Sequence, residues 1–186
     1  MFFLPYLLLI VLYELGSFFY LFVINKSNAW ITNIIISIEF LFYSCLLIVL
    51  LDKKLRARLV ILVLSAFLFT VVDVFAIQGF WDLGTIAILV QYVVLIVLVC
   101  MFFSQLMRRS GEHLSLIRLP AFWINTGLLF FCLAEFMFFA AFTYMTAKKN
   151  YNYYMLWLVI SNMANLILYS CLSISFLCFN KKKLSY

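Results

Sequence analysis

Residues 85–107 read TIAILVQYVVLIVLVCMFFSQLM, a run with no charged side chain. A helix that crosses a bilayer needs about 20 such residues. Hydrocarbon offers no partner for free backbone groups, so a segment of this kind satisfies them internally as a helix; a barrel would require short alternating strands instead. The pattern recurs on both sides of this stretch. Helices are expected at residues 3–24, 29–51, 59–78, 85–107, 119–146 and 153–179. The fold class that follows is an all-α membrane protein: a bundle of about six transmembrane helices with short loops. The chain reads as a single transmembrane domain over 1–186, with no soluble domain.

Composition agrees. Of 186 residues, 68% are apolar and 11% charged, whereas a soluble domain is near half apolar and a quarter charged. The opening Met1-Phe2-Phe3-Leu4-Pro5 has neither a basic leader nor a small-residue cleavage site, so it reads as the start of a retained first helix. The net charge of +6 is no nucleic-acid footprint, because the basic residues sit in short clusters between apolar runs. Lys53, Lys54, Arg56 and Arg58 lie between helices two and three, Arg108, Arg109 and Arg118 between four and five, and Lys181, Lys182 and Lys183 after helix six. Only Lys26, Lys148 and Lys149 fall on the other side. Positive residues collect on the cytoplasmic face, so both termini are expected there. Tyr20, Trp30, Trp81, Tyr144, Tyr151, Tyr153, Tyr154 and Trp157 would then form the outer aromatic belt. The basic loops also suit contact with anionic lipid heads or a cytoplasmic partner.

Several features are mute about chemistry. Cys45, Cys100, Cys132, Cys171 and Cys178 lie inside apolar runs without a C-x-x-C pair and read as small hydrophobes. Pro120 suits the first turn of helix five, and Gly79 and Gly84 bracket a turn. No G-x-x-x-G occurs, so glycine-mediated close packing is not expected. H-E-x-x-H and G-x-S-x-G are absent. His113, in a basic loop, cannot build a metal site alone. The reading is non-enzymatic, with no metal and no cofactor.

The informative residues are acids inside the spans. Glu14 falls near the middle of helix one, Glu39 of helix two and Glu135 of helix five, with Asp73 in the outer third of helix three. A charge at bilayer centre costs about 2.5 kcal/mol or more on insertion scales, and no span supplies a Lys or Arg as counterion. One or more is therefore expected to carry a proton at neutral pH. Antiparallel packing of helices one and two would bring Glu14 and Glu39 to a similar level. Polar stripes accompany the acids: Asn28, Thr32, Glu39 and Tyr43 on helix two, Glu14, Ser17 and Asn25 on helix one, Thr70 and Asp73 on helix three, and Asn162, Asn165, Tyr169 and Ser173 on helix six, with Gln91 from helix four. Such stripes either hydrogen-bond neighbouring helices or line a polar cavity that binds a ligand, a cation or a proton. Glu39-Phe40-Leu41-Phe42-Tyr43 and Glu135-Phe136-Met137-Phe138-Phe139 echo one another, as an inverted repeat would require.

The run Pro120-Ala121-Phe122-Trp123-Ile124-Asn125-Thr126-Gly127-Leu128-Leu129-Phe130-Phe131 follows Ile38-Glu39-Phe40-Leu41-Phe42-Tyr43 and Ile77-Gln78-Gly79-Phe80. This resembles small, largely uncharacterised polytopic membrane proteins of Bacteroidota, which look like the N-terminal membrane regions of sensor histidine kinases. The resemblance implies a sensory role in a bacterial inner membrane and brings no catalytic residues with it. Those kinase regions are often described with seven helices, against six here. The sequence stops at Tyr186 without a kinase or coiled coil, so a sensor of this form would signal through a partner protein or through self-association. The expected function is a membrane sensor or signalling subunit with a carboxylate-lined pocket. A small transporter or channel subunit is the rival, and a lipid-modifying enzyme a more distant one.

Overall fold

The computed structural model describes residues 3–24, 27–109, 116–148 and 151–183, with side chains over 4–24, 27–108, 116–142, 155 and 159–178. Asn25, Lys26, His113 and Lys149 lie outside the described residues. So do the side chains of Arg109, Tyr144, Lys148, Tyr151, Tyr153, Tyr154, Trp157, Lys181, Lys182 and Lys183.

Six helices make up the described chain, and no strand is among its elements: α1 (Phe3–Phe18), α2 (Ala29–Leu50), α3 (Arg56–Val72), α4 (Thr85–Arg109), α5 (Pro120–Lys148) and α6 (Tyr151–Lys183). A π-helical turn, Asp73–Ile77, extends α3, and a 3-10 turn, Leu116–Arg118, precedes α5. Five segments are long and apolar enough to cross a membrane: Ala29–Leu50, Arg56–Ile77, Thr85–Arg108, Pro120–Phe142 and Val159–Cys178.

The first helix departs from the expected 3–24. It stops at Phe18, which at about 1.5 Å per residue is roughly 24 Å, short of a hydrocarbon core of about 30 Å. The cause is a helix-closing motif. The Tyr20 N–H donates to Ser17 O at 3.1 Å and the Leu21 N–H to Gly16 O at 2.9 Å, the paired bonds of a Schellman cap. Tyr20 occupies the left-handed position with φ 58°. Gly16 permits the reversal, since a Cβ there would overlap the Phe22 ring. Phe22 then stacks on Tyr13, and its carbonyl accepts the Trp30 indole N–H at 2.9 Å. Hydropathy is blind to such a cap, because Phe19, Leu21, Phe22, Val23 and Ile24 are as apolar as the helix before them.

α4 lies at the centre, packed against α2, α3 and α5, while α6 packs on α5. Leu95, Leu98 and Val99 of α4 are buried accordingly. The α5–α6 contact is closest at Gly127, where a Cβ would lie 2.7 Å from Cys171 Cβ and 3.3 Å from Leu168 Cα. One glycine, with no G-x-x-x-G, thus brings two backbones together, contrary to the expectation from the sequence. α1 reaches the others through side chains: the Tyr6 ring stacks on Phe42 with centroids 4.0 Å apart.

Loop contacts sort the helix ends. The Asp52 N–H donates to Gln105 Oε1 at 3.1 Å, and Trp123 Nε1–H and the Cys178 thiol both reach Ile117 O. Lys53, Lys54, Arg56, Arg58 and Arg108 therefore share one end of the molecule. Asn33, near the start of α2, holds the α3–α4 loop at the other end.

Two substitutions test this construction. Tyr20→Gly removes the cost of a left-handed non-glycine residue, about 1 kcal/mol, and sacrifices little packing because Tyr20 is 79% exposed; its melting midpoint in detergent should rise by a few degrees. Gly127→Ala should lower that midpoint, because overpacking costs about 1–3 kcal/mol, more than the roughly 0.5–1 kcal/mol gained in helix propensity.

Candidate functional site

The acids separate into two environments. Glu14, Glu39 and Glu135 border one cavity of about 240 Å³, walled by residues of α1, α2, α4, α5 and α6. Among the described residues, no Lys or Arg lines it. Glu39 is half-buried and accepts a 3.0 Å hydrogen bond from the Tyr6 hydroxyl. Glu135 is 6% exposed, and its Oε1 accepts the Ser161 hydroxyl from α6. Between them stands Tyr92 of α4, stacked on Phe139 and edge-on to Phe131. Glu39 lies close enough to sense the charges of Glu135 and Glu14.

Glu14 is not level with Glu39. Tyr6 meets Glu39, whereas the Tyr13 hydroxyl lies 3.0 Å from Thr32 Oγ1. Glu14 therefore sits about eight residues further along α1 than the level of Glu39, roughly 12 Å at 1.5 Å per residue. The early stop of α1 explains the offset: Glu14 stands four residues from the last helical residue, Phe18, and not at mid-helix. Its side chain is exposed and also borders an adjoining cavity of about 380 Å³ between α1 and α6, together with Asn162, Asn165 and Tyr169. Asn165 and Tyr169 line both cavities. Asn162 lines only the outer of the two, and Asn165 Nδ2 donates to Ser161 O at 3.2 Å. Tyr43 is fully packed at 1% exposure, edge-on to Tyr6, and supports the wall behind Glu39 without lining the cavity.

Asp73 does not join the glutamates. It lies in the π-helical turn, 0% exposed, and its Oδ2 accepts the Ala87 N–H at 3.2 Å. That N–H belongs to the first turn of α4, where free donors and the positive end of the helix dipole favour a carboxylate. Asp73 thus caps the central helix from another segment. Gln91, one turn deeper in α4, donates from Nε2 to Thr70 Oγ1 at 2.8 Å.

Of the described basic side chains from the loop after α2 to the first turn of α3 and at the end of α4, all but one are exposed. Lys53, Lys54, Arg58 and Arg108 are exposed. Arg56 is half-buried, and its Nη2 donates to Val49 O at 2.7 Å, tying the end of α2 as cations do at helix C-termini.

Sequence reasoning missed Tyr6, Tyr13, Tyr92 and Ser161, all of them bordering or bonding the glutamates. Tyr6, Ile10 and Tyr13 share one face of α1, a signal hidden by the abundance of aromatic residues. It also missed Asn33, which with Ser37 and Ser44 forms a second polar face of α2, about 120° from Thr32, Glu39 and Tyr43 at 100° per residue.

Chemically, the cavity offers carboxyl groups, hydroxyls and the aromatic faces of Tyr92, Phe138 and Phe139. Carboxylates and ring faces both attract a cation. Among the described residues no group of three His, Cys, Asp or Glu converges tightly enough to hold one metal ion. The three glutamates therefore suit a proton or an extended organic cation better than chelation. No known protein family, no curated protein and no solved structure matches the chain.

A stability measurement separates retained function from packing glue. Glu135→Met keeps volume while removing a buried acid, and the freed Ser161 hydroxyl can turn to its own helix backbone. Replacing buried ionic groups with apolar ones of similar size is often neutral or stabilising by about 1–4 kcal/mol. Glu135→Met should melt no lower than the parent protein; a marked drop would make Glu135 a structural residue.

Proposed function

We propose that this protein is a multi-pass membrane sensor or signalling subunit whose intramembrane carboxylate cavity takes up a proton or a small organic cation. The observation that carries the reading is the shared cavity itself. Glu14, Glu39 and Glu135 come from three different helices and border one space that no basic side chain among the described residues lines. Three acids kept in such surroundings for packing alone would be a costly solution.

The signal would pass through α1. This helix is joined to the rest chiefly by side chains, among them the Tyr6–Glu39 hydrogen bond and the Tyr13–Thr32 contact. A cation or proton arriving at Glu39 weakens its claim on the Tyr6 hydroxyl and shifts the balance between two positions of α1, as a charge change does at a bistable element. The basic end is proposed to be cytoplasmic, with both termini there and α1 inserted as a sixth, short membrane segment. Gathering of Lys53, Lys54, Arg58 and Arg108 at one end supports that orientation. A bacterial inner membrane and a protein partner, or a second copy, at the basic end complete the reading.

One observation favours a small transporter as the second reading. The matching segments that begin at Glu39 and Glu135 bring their acids to the same cavity, as an inverted repeat would.

The test compares the parent protein with Glu39→Gln in liposomes. A spin-label or fluorophore pair on α1 and α6 reports helix separation while pH and an amphiphilic amine are varied. The parent should respond to one of the two, and Glu39→Gln should lose at least about nine-tenths of the response, a factor of ten or 1.4 kcal/mol. Solute-driven flux that Glu39→Gln and Glu135→Gln both abolish would replace the sensor with the transporter. No movement and no flux would remove both.

A further inference from the structure

A second polar compartment lies on the other side of α4, and its hydrogen bonding does not close. Asp73 Oδ1 and Gln91 Oε1 have no hydrogen-bond partner among the described residues, though their own residues are 0% and 1% exposed. With Asp73 ionised, as it is at a helix N-terminus that favours a carboxylate, both atoms are acceptors and neither satisfies the other. An orphaned carboxylate oxygen is costly when fully buried.

The two groups are neighbours by construction. Thr70 and Asp73 are one turn apart on α3, and Ala87 and Gln91 are one turn apart on α4. Two rungs join these pairs: Asp73 Oδ2 to the Ala87 N–H at 3.2 Å, and Thr70 Oγ1 to Gln91 Nε2 at 2.8 Å. The remaining oxygen of each terminal group therefore belongs to the same α3–α4 seam. The amide orientation is fixed by its surroundings. Thr70 gives its hydroxyl proton to Ala66 O at 3.0 Å and Ser37 gives its own to Asn33 O at 2.7 Å. Both hydroxyls can then only accept from Gln91, so Nε2 faces them and Oε1 is left over.

We propose that Asp73 Oδ1 and Gln91 Oε1 are ligands of a small monovalent cation, sodium, bound inside the α3–α4 seam. One carboxylate with neutral oxygens matches a single positive charge; hard cations of higher charge collect more carboxylates. The π-helical turn at Asp73–Ile77 belongs to the same device, since such turns re-aim a side chain within a helix and recur at functional sites. A cavity of about 360 Å³ between α2 and α3 has Asn33, Ser37 and Thr70 among its lining residues, and the two hydroxyls hold the Gln91 amide nitrogen, 2.8 Å from Thr70 Oγ1 and 3.5 Å from Ser37 Oγ. This site shares none of its ligands with the glutamate cavity and does not depend on the function proposed for it.

The experiment uses the full chain in nanodiscs, with sodium chloride exchanged for choline chloride at constant ionic strength. Sodium should raise the unfolding midpoint by several degrees and saturably, as a ligand of the folded state does, and ²²Na⁺ should bind at one site per chain. Asp73→Asn keeps an oxygen for the Ala87 N–H, so it should melt near the parent in choline yet lose the sodium response. Gln91→Met should raise the half-saturating sodium concentration about tenfold, and Glu39→Gln should leave it unchanged. Equal midpoints of the parent in the two salts, as an internal water alone would give, overturn the site. So does an undiminished sodium response in Asp73→Asn and Gln91→Met, or a response lost only in Glu39→Gln. Should Asp73→Asn fail to fold, Gln91→Met and ²²Na⁺ binding to the parent protein decide.

Discussion

Every polar group that enters hydrocarbon has to find its partner within the protein, and the arrangement of this fold follows from where those partners are. Apolar contact alone gives little direction to helices in lipid, because a leucine meets lipid tails about as happily as another helix. Polar contacts and close backbone approach do give direction. Asn33 pins the α3–α4 loop through Asp82 O and the Gly84 N–H. Asp73 caps α4 from α3, and Glu135 receives Ser161 from α6. Each of these fixes the register of one helix against another. Gly127 adds the closest approach of two backbones, at α5 and α6.

Gln91 and Tyr92 show how one helix serves two compartments. They are consecutive residues, about 100° apart around α4. Gln91 turns to Thr70 and the α3 seam, and Tyr92 turns to the glutamate cavity. α2 repeats the division, with Asn33 and Ser37 toward α4 and the α3–α4 loop and with Thr32 and Glu39 toward α1 and the cavity. α2 and α4 together form the wall between two buried polar regions.

Much of this was legible in the residues, and what was not has specific causes. The five long spans follow from uninterrupted apolar runs, since length and charge are local properties. The end of α1 was not legible because Tyr20, a residue that rarely adopts a left-handed conformation, closes it. Missing that cap placed Glu14 at mid-helix, whereas it stands near the C-terminal end of α1, and misjudged its level against Glu39. The convergence of acids from different helices depends on packing order, which hydropathy does not encode. Asp73 shows the limit most sharply. As an acid inside a span it was grouped with the three glutamates; its neighbour, the first turn of α4, gives it a different task.

The two kinds of acid also differ in what surrounds them energetically. Asp73 is fully buried, beside a helix N-terminus worth about half a positive charge, and it offers one oxygen that no described residue satisfies. Glu39 and Glu135 are met by neutral hydroxyls, Tyr6 and Ser161, beside an open space. A hydroxyl stabilises a carboxylate less than a charged donor does and releases it more readily. The glutamate cavity is thus built from bonds that can be exchanged, whereas the α3–α4 seam is built from backbone and amide contacts that hold. Exchangeable bonds suit a space open to small groups, and the rigid bonds of Asp73 and Gln91 keep α3 and α4 in register.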